Sequence, residues 1–195
     1  MICCDFKAGT GTSSRKVSIA SKSYTVGALV QCNFGVTHNL RMNGVPVGAL
    51  FDKEFKNIKA HKRVNNYGSI IVVIATDAPL WESQLTRMCK RAALAIGKCG
   101  SYAAHASGEI IVGFSTANKV HRENSRGSKK GTTHVELMLN ESMNSLYEAT
   151  IEATEEAIYN SLCMAQTMVG FKGRKILALP LDWLKDTLLR FSPEL

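Results

Sequence analysis

Apolar residues follow two rhythms along this chain. From Ser69 to Ala75 they run almost unbroken (SIIVVIA), the pattern of a strand covered on both faces and far short of the roughly 20 residues that cross a membrane. Tyr24–Phe34 (YTVGALVQCNF) is rich in β-branched and aromatic residues and also reads as a strand, as do Met1–Lys7, Lys16–Ala20, Glu109–Ser115 and Thr133–Leu139. Ala8–Ser14 (AGTGTSS) reads as a turn of glycine and small hydroxyl residues, and Asn43-Gly44 as a turn within 38–48. Helical rhythm begins after Thr76-Asp77-Ala78-Pro79. Leu85, Met88, Cys89, Ala92, Ala93 and Ile96 recur at three- and four-residue steps, so a helix is predicted from Trp81 to about Lys98, with Gly97 and Gly100 at its end. A second helix is predicted from Asn140 to about Met168, with Leu146, Ala149, Ala153, Ala157, Leu162 and Ala165 on its buried face. A third runs from Leu181 to Phe191 after a turn and short strand over 170–178. Strands alternating with helices predict an α+β architecture of stacked layers.

At 195 residues the chain is of one-domain length, and 45% hydrophobic with 21% charged residues is ordinary globular composition. The net charge of +8 raises a nucleic-acid partner. Its excess, however, sits in two polar stretches, Lys53–Arg63 and Lys119–Lys130, that lack interleaved aromatic residues, so they read as solvated loops and no nucleic-acid partner is expected. Ser101–Gly108 is a further loop of small residues. The N-terminus MICCDFKAG has no charged segment followed by an apolar one, and a cytoplasmic protein without a membrane partner is expected. Six cysteines (3, 4, 32, 89, 99 and 163) form no C-x-x-C pair and read as reduced, buried thiols. The five histidines show no ligand spacing, so neither metal nor organic cofactor is expected.

The candidate chemistry lies at Gly68-Ser69, ahead of the apolar strand. A serine needs a base to take its proton, and neither G-x-S-x-G nor S-x-x-K is present. AGTGTSS lacks the G-K-[ST] of a phosphate loop. If the backbone were cut between Gly68 and Ser69, Ser69 would carry both a hydroxyl and an α-amine. Such an amine titrates at about 7.7–8.0 and can serve as a general base. A Gly-Ser pair at a strand start serves a simple turn equally well, and spacing alone does not choose between the two.

The wider sequence does. GSIIVVIATDAPL resembles the segment that opens the β-chain of the L-aminopeptidase/D-esterase and β-peptidyl aminopeptidase family, self-cleaving hydrolases of the ornithine-acetyltransferase-like fold. MICCDFKAGTGTSSR, YTVGALVQCNFG, RMNGVPVG, LTRMCKRAALAIGKCGSYAAHASGEIIVGFSTAN and LYEATIEATEEAIYNSLCMAQTMVG are similar to further family motifs, in the same order. The resemblance implies an αββα layered sandwich, lacking its N-terminal portion because Met1 falls inside the pattern. Uncovered apolar surface and open sheet edges are then expected. It implies a single domain over 1–195, with 1–68 the end of an α-chain part and 69–195 a β-chain part. It implies Ser69 as nucleophile, Gly68 as the residue before the cut, Asn33 as the oxyanion donor, and Ser107 and Glu109 as groups that orient the Ser69 hydroxyl and amine. The activity implied is a serine aminopeptidase acting on small peptides, amides or esters, as a homo-oligomer. An ornithine-acetyltransferase-type acyltransferase, which has threonine at the position of Ser69, and an inactive fragment dependent on a partner chain are the alternatives.

Overall fold

A computed structural model describes residues 1–56, 68–119 and 132–191. Most of the two basic stretches, 57–67 and 120–131, therefore lies outside the described residues. The centre is a four-stranded sheet in the order β3 (Thr10–Ile19), β4 (Lys22–Asn33), β5 (Gly68–Thr76) and β6 (Ser107–Ser115). β3, β4 and β5 are antiparallel in turn, and β5 pairs parallel with β6 through the crossover helix α2 (Glu82–Lys98). A parallel pair needs such a connection because the chain must return to the same end of the sheet. Helix α3 (Asn144–Cys163) lies across β3 and β4 and against α2.

Burial alternates along the strands, so the sheet has one covered face. Ile70, Val72 and Ile74 of β5 and Val26, Ala28, Val30 and Cys32 of β4 are buried against the helices. The alternate positions point the other way. Leu29, Ile71, Ile110, Val112 and Phe114 keep between 41% and 59% of their surface in solvent. The open apolar face expected from the resemblance is thus present. The unbroken run SIIVVIA does not by itself reveal which of its faces the helices take.

Several sequence expectations need correction. Ala8–Ser14 is not a turn. From Thr10 on its small residues form the start of β3, paired with β4 from Thr10↔Gln31 to Ile19↔Lys22. The reason is a close crossing. A Cβ on Gly11 would lie 2.0 Å from the Ala157 carbonyl oxygen and 2.7 Å from the Ser161 nitrogen of α3. Met1–Lys7 is not one strand but a hairpin of β1 (Ile2–Cys3) and β2 (Phe6–Lys7), reversed at Cys4 and Asp5, whose φ values are 49° and 63°. Helix α1 (Val47–Glu54) was not signalled. Its Phe51 stacks edge-on between Phe6 and Trp183, at centroid distances of 5.0 and 5.3 Å. Residues 133–139 form no strand. The Glu136 main chain pairs with the side chain of Asn118, which accepts its N–H and donates to its carbonyl, and the Met138 N–H donates to the Pro79 carbonyl.

The helices follow the periodic pattern with shifted ends. α2 buries Met88, Ala92, Ala95 and Ile96, while Ala93 faces out. Gln84 closes its first turn by accepting the Trp81 N–H, and donates to the Met138 carbonyl. α3 starts at Asn144 and ends at Cys163, so Ala165 lies beyond it. It buries Thr150 and Thr154 because each hydroxyl donates to the carbonyl four residues back. Short strands β7 (Met168–Val169) and β8 (Lys175–Ile176) form a hairpin before α4 (Leu181–Phe191). Among the described residues no helix is long and apolar enough to cross a membrane.

Four cysteines, Cys3, Cys4, Cys32 and Cys99, are buried in the main core. The hydrogen bond that the Cys32 S–H gives to Cys3, together with burial, pushes the Cys32 thiol far up. Burial and the charge of Glu155 do the same to Cys99. Folded thiols therefore keep protons that unfolded thiols, with an ordinary pKa of 9.0, release. Stability is predicted to hold below pH 9 and to fall above it, by about 1.4 kcal/mol per pH unit for each such thiol. Urea midpoints at pH 8 and 10 under reducing conditions check this, and Cys32→Ala should flatten the fall. At the β3–α3 crossing, Gly11→Ala should destabilise by about 1–3 kcal/mol or more. Gly9→Ala, with nothing within 4 Å of the added carbon, should be near neutral in the same urea titration.

Candidate active site

β4 ends at Asn33 and β5 begins at Gly68, and the antiparallel register sets Asn33 directly opposite Ser69. Opposed residues project to the same side of a sheet. Cys32 and Ile70, one step along each strand, are buried under the helices. The Asn33 amide and the Ser69 hydroxyl therefore share the open face. Ser69 is exposed, and Gly68 before it is extended, with φ 159°.

The Asn33 side chain is held from the N-terminal hairpin. Its Oδ1 accepts the Ile2 main-chain N–H at 3.2 Å, which turns the NH2 end of the amide away from β1. The hairpin is itself fixed to the residues that follow β4. The Cys4 N–H donates to the Phe34 carbonyl at 2.8 Å. The buried Asp5 carboxylate accepts both the N–H and the hydroxyl of Thr37 at 3.0 Å. A carboxylate this deep needs such partners, because burying it unpaired is costly.

On the other side of Ser69 runs β6. Its parallel register pairs Gly68 with Ser107, Ser69 with Gly108 and Ile70 with Glu109. The Gly108 N–H donates to Ser69 Oγ at 3.2 Å. The Ser107 hydroxyl donates to the Glu109 carboxylate at 2.6 Å. Both residues are half-buried and share the alternation of Gly113, whose Cα faces Cys89 of α2, so they lie on the helix side of the sheet. The sheet thus divides the predicted constellation. Ser69 Oγ meets the Gly108 N–H on the open face, which it shares with Asn33. Ser107 and Glu109 meet each other on the opposite face, at the levels of Gly68 and Ile70, bracketing the main-chain nitrogen of Ser69.

Ser107 and Gly108 are not loop residues, as their composition suggests, but the first two of β6, and Glu109 is half-buried rather than solvated. His105 is exposed in the loop before β6. Among the described residues no cluster of three histidine, cysteine or acidic side chains could hold a metal. Sequence reasoning missed Gly108. The available signal was a glycine at a strand position, which often marks close approach by another group.

Residues 1–176 match the model of peptidase family S58. The β-peptidyl aminopeptidases BapA of Sphingosinicella microcystinivorans and Sphingosinicella xenopeptidilytica are 43% and 39% identical to the chain. Those alignments cover 98% and 94% of this chain, and 50% and 47% of theirs. Among solved structures, the PH0078 protein from Pyrococcus horikoshii OT3 superposes with a TM-score of 0.86 at 41% identity. The L-aminopeptidase D-Ala-esterase/amidase from Ochrobactrum anthropi superposes at 0.83 and 34%. Each superposition covers 98% of this chain and 50% of the other. The Ochrobactrum protein is described as a prototype for the serine aminopeptidases and a new variant among the Ntn hydrolase fold. The layered α+β arrangement is that fold, and the chain spans about half the length of the relatives it matches.

Proposed function

The chain belongs to peptidase family S58, and on that footing we propose that it is a self-processing serine aminopeptidase whose nucleophile is Ser69. The observation that carries the reading is the register that puts the Asn33 amide and the Ser69 hydroxyl opposite each other on one open face. Cleavage of the Gly68–Ser69 bond gives Ser69 a free α-amine. Residues 1–68 and 69–195 then remain joined through the β4–β5 ladder, from Val26↔Thr76 to Asn33↔Ser69.

In the reaction Ser69 Oγ bonds to the carbonyl carbon of the substrate's N-terminal residue and passes its proton to the Ser69 amine. The carbonyl π electrons move onto oxygen, where the Asn33 NH2 donates. Collapse of this tetrahedral species breaks the C–N or C–O bond, and the leaving group takes the proton from the ammonium. Water then attacks the acyl-serine with the same amine as base and releases the amino acid. An amine of ordinary pKa, about 7.7–8.0, is suited to both transfers at neutral pH. Ser107 and Glu109 act from the helix side on that amine rather than on the hydroxyl. The substrates are small peptides, amides or esters with a free N-terminal residue, and the names of the relatives favour β-amino acids as well as α-amino acids. The reading includes a cytoplasmic homo-oligomer that needs neither metal nor organic cofactor.

The apolar open face favours a second reading, in which the chain acts only when a partner chain covers that face. Hydrolysis by the purified chain alone would count against it.

Release of p-nitroaniline from amino-acid p-nitroanilides, α and β, tests the first reading, with N-acetylated substrates expected to be inert. Asn33→Ala is predicted to lower kcat by roughly 10²–10³, as loss of a preorganised oxyanion donor does, with KM little changed. Wild-type kcat in the Asn33→Ala chain would remove Asn33 from the mechanism.

A further inference from the structure

We infer that Gly108 is a further positioning and specificity residue for Ser69, acting through its main-chain N–H and through the side chain it does not have; this rests on the hydrolase reading above. Two ordinary reasons for a glycine are missing here. Gly108 is not among the residues of positive φ. A Cβ built on it would not collide with the fold, since the nearest atom is Ser69 Oγ at 3.5 Å, an ordinary contact distance. Neither backbone conformation nor crowding therefore demands glycine at this point of β6.

What the position controls is access to the nucleophile. Gly108 pairs with Ser69 across the parallel ladder, so a side chain on it would stand on the same open face as the hydroxyl. A reacting carbonyl carbon must come within about 3–3.5 Å of Oγ. A methyl group at 3.5 Å from Oγ occupies part of that approach and leaves the fold intact. Its effect should grow with the bulk of the acyl group.

The N–H does the complementary work. Because Oγ accepts from Gly108 at 3.2 Å, that lone pair is engaged. The hydroxyl proton is then left to point elsewhere, and the amine of the same residue is the base the mechanism requires. A donor on Oγ also stabilises negative charge as the proton leaves. Gly108 thus orients the nucleophile without touching the substrate oxygen, a role distinct from that of Asn33.

The test compares wild type with Gly108→Ala on alanine and valine p-nitroanilides, with melting temperature as the control. It adds amide exchange at Gly108 in wild type and Ser69→Ala. The expected result is an unchanged melting temperature and kcat/KM lower on the order of tenfold for alanine and more for valine. Exchange at Gly108 should be several-fold faster once the Ser69 hydroxyl is gone. A general structural defect would lower both substrates equally, so an equal loss, or no loss, overturns the inference. If wild type hydrolyses neither substrate, the hydrolase reading is what fails. The Gly108 contact is then judged on exchange alone, and equal rates in wild type and Ser69→Ala overturn it.

Discussion

The pairing of β4 with β5 is the constraint on which the site depends. Side chains alternate along a strand, so a slip of one residue sends every side chain of that strand to the other face. At the observed register Asn33 and Ser69 share a face. One residue of slip would leave the amide on one side of the sheet and the hydroxyl on the other. The same slip would turn Ile70, Val72 and Ile74 out of the core, where they are now buried. Burying one such side chain is worth about 1.5–3 kcal/mol, so the hydrophobic core enforces the geometry of the polar site. The site needs no precision of its own beyond what the packing supplies.

The two faces of the sheet serve different ends. Helices α2 and α3 hold the covered face rigid. Gly11 lets α3 approach β3 backbone to backbone, and the Thr150 and Thr154 hydroxyls satisfy themselves on α3. The open face carries apolar side chains from β4, β5 and β6 and, at one end, the polar group of Asn33, Ser69 and Gly108. The main-chain nitrogen of Ser69 lies in the plane between these faces. Ser107 and Glu109 pair with Gly68 and Ile70, the residues on either side of it. In the proposed mechanism this division gives different partners to the amine and the hydroxyl of one residue.

Much of the fold was legible in the sequence because periodicity reports burial. The helix expected from Trp81 to about Lys98 was found that way, and the strand at Ser69–Ala75 from its unbroken apolar run. The misreadings share a cause, namely that tertiary contact overrode local composition. Small hydroxyl residues at Ala8–Ser14 suggested a turn, but close packing on α3 calls for small residues in a strand. The alternating residues at 133–139 suggested a strand, but a strand needs a neighbour, and Glu136 finds its main-chain partners on the Asn118 side chain. Ser69 and Asn33 entered the proposed site through motif order, not through spacing. That Ser107 and Glu109 take the helix side of the sheet was not legible, because the side of a sheet a residue takes depends on a register no single strand reveals.

The account turns on Ser69 acquiring a free amine at the start of β5. Intact mass under denaturing conditions, joined with N-terminal sequencing of each species, reads this directly. The account predicts two polypeptides, residues 1–68 and 69–195, the second beginning with serine, and a single uncut species from Ser69→Ala. A wild-type chain that persists as one 195-residue species would leave Ser69 acylated by Gly68, without its base, and would contradict the mechanism.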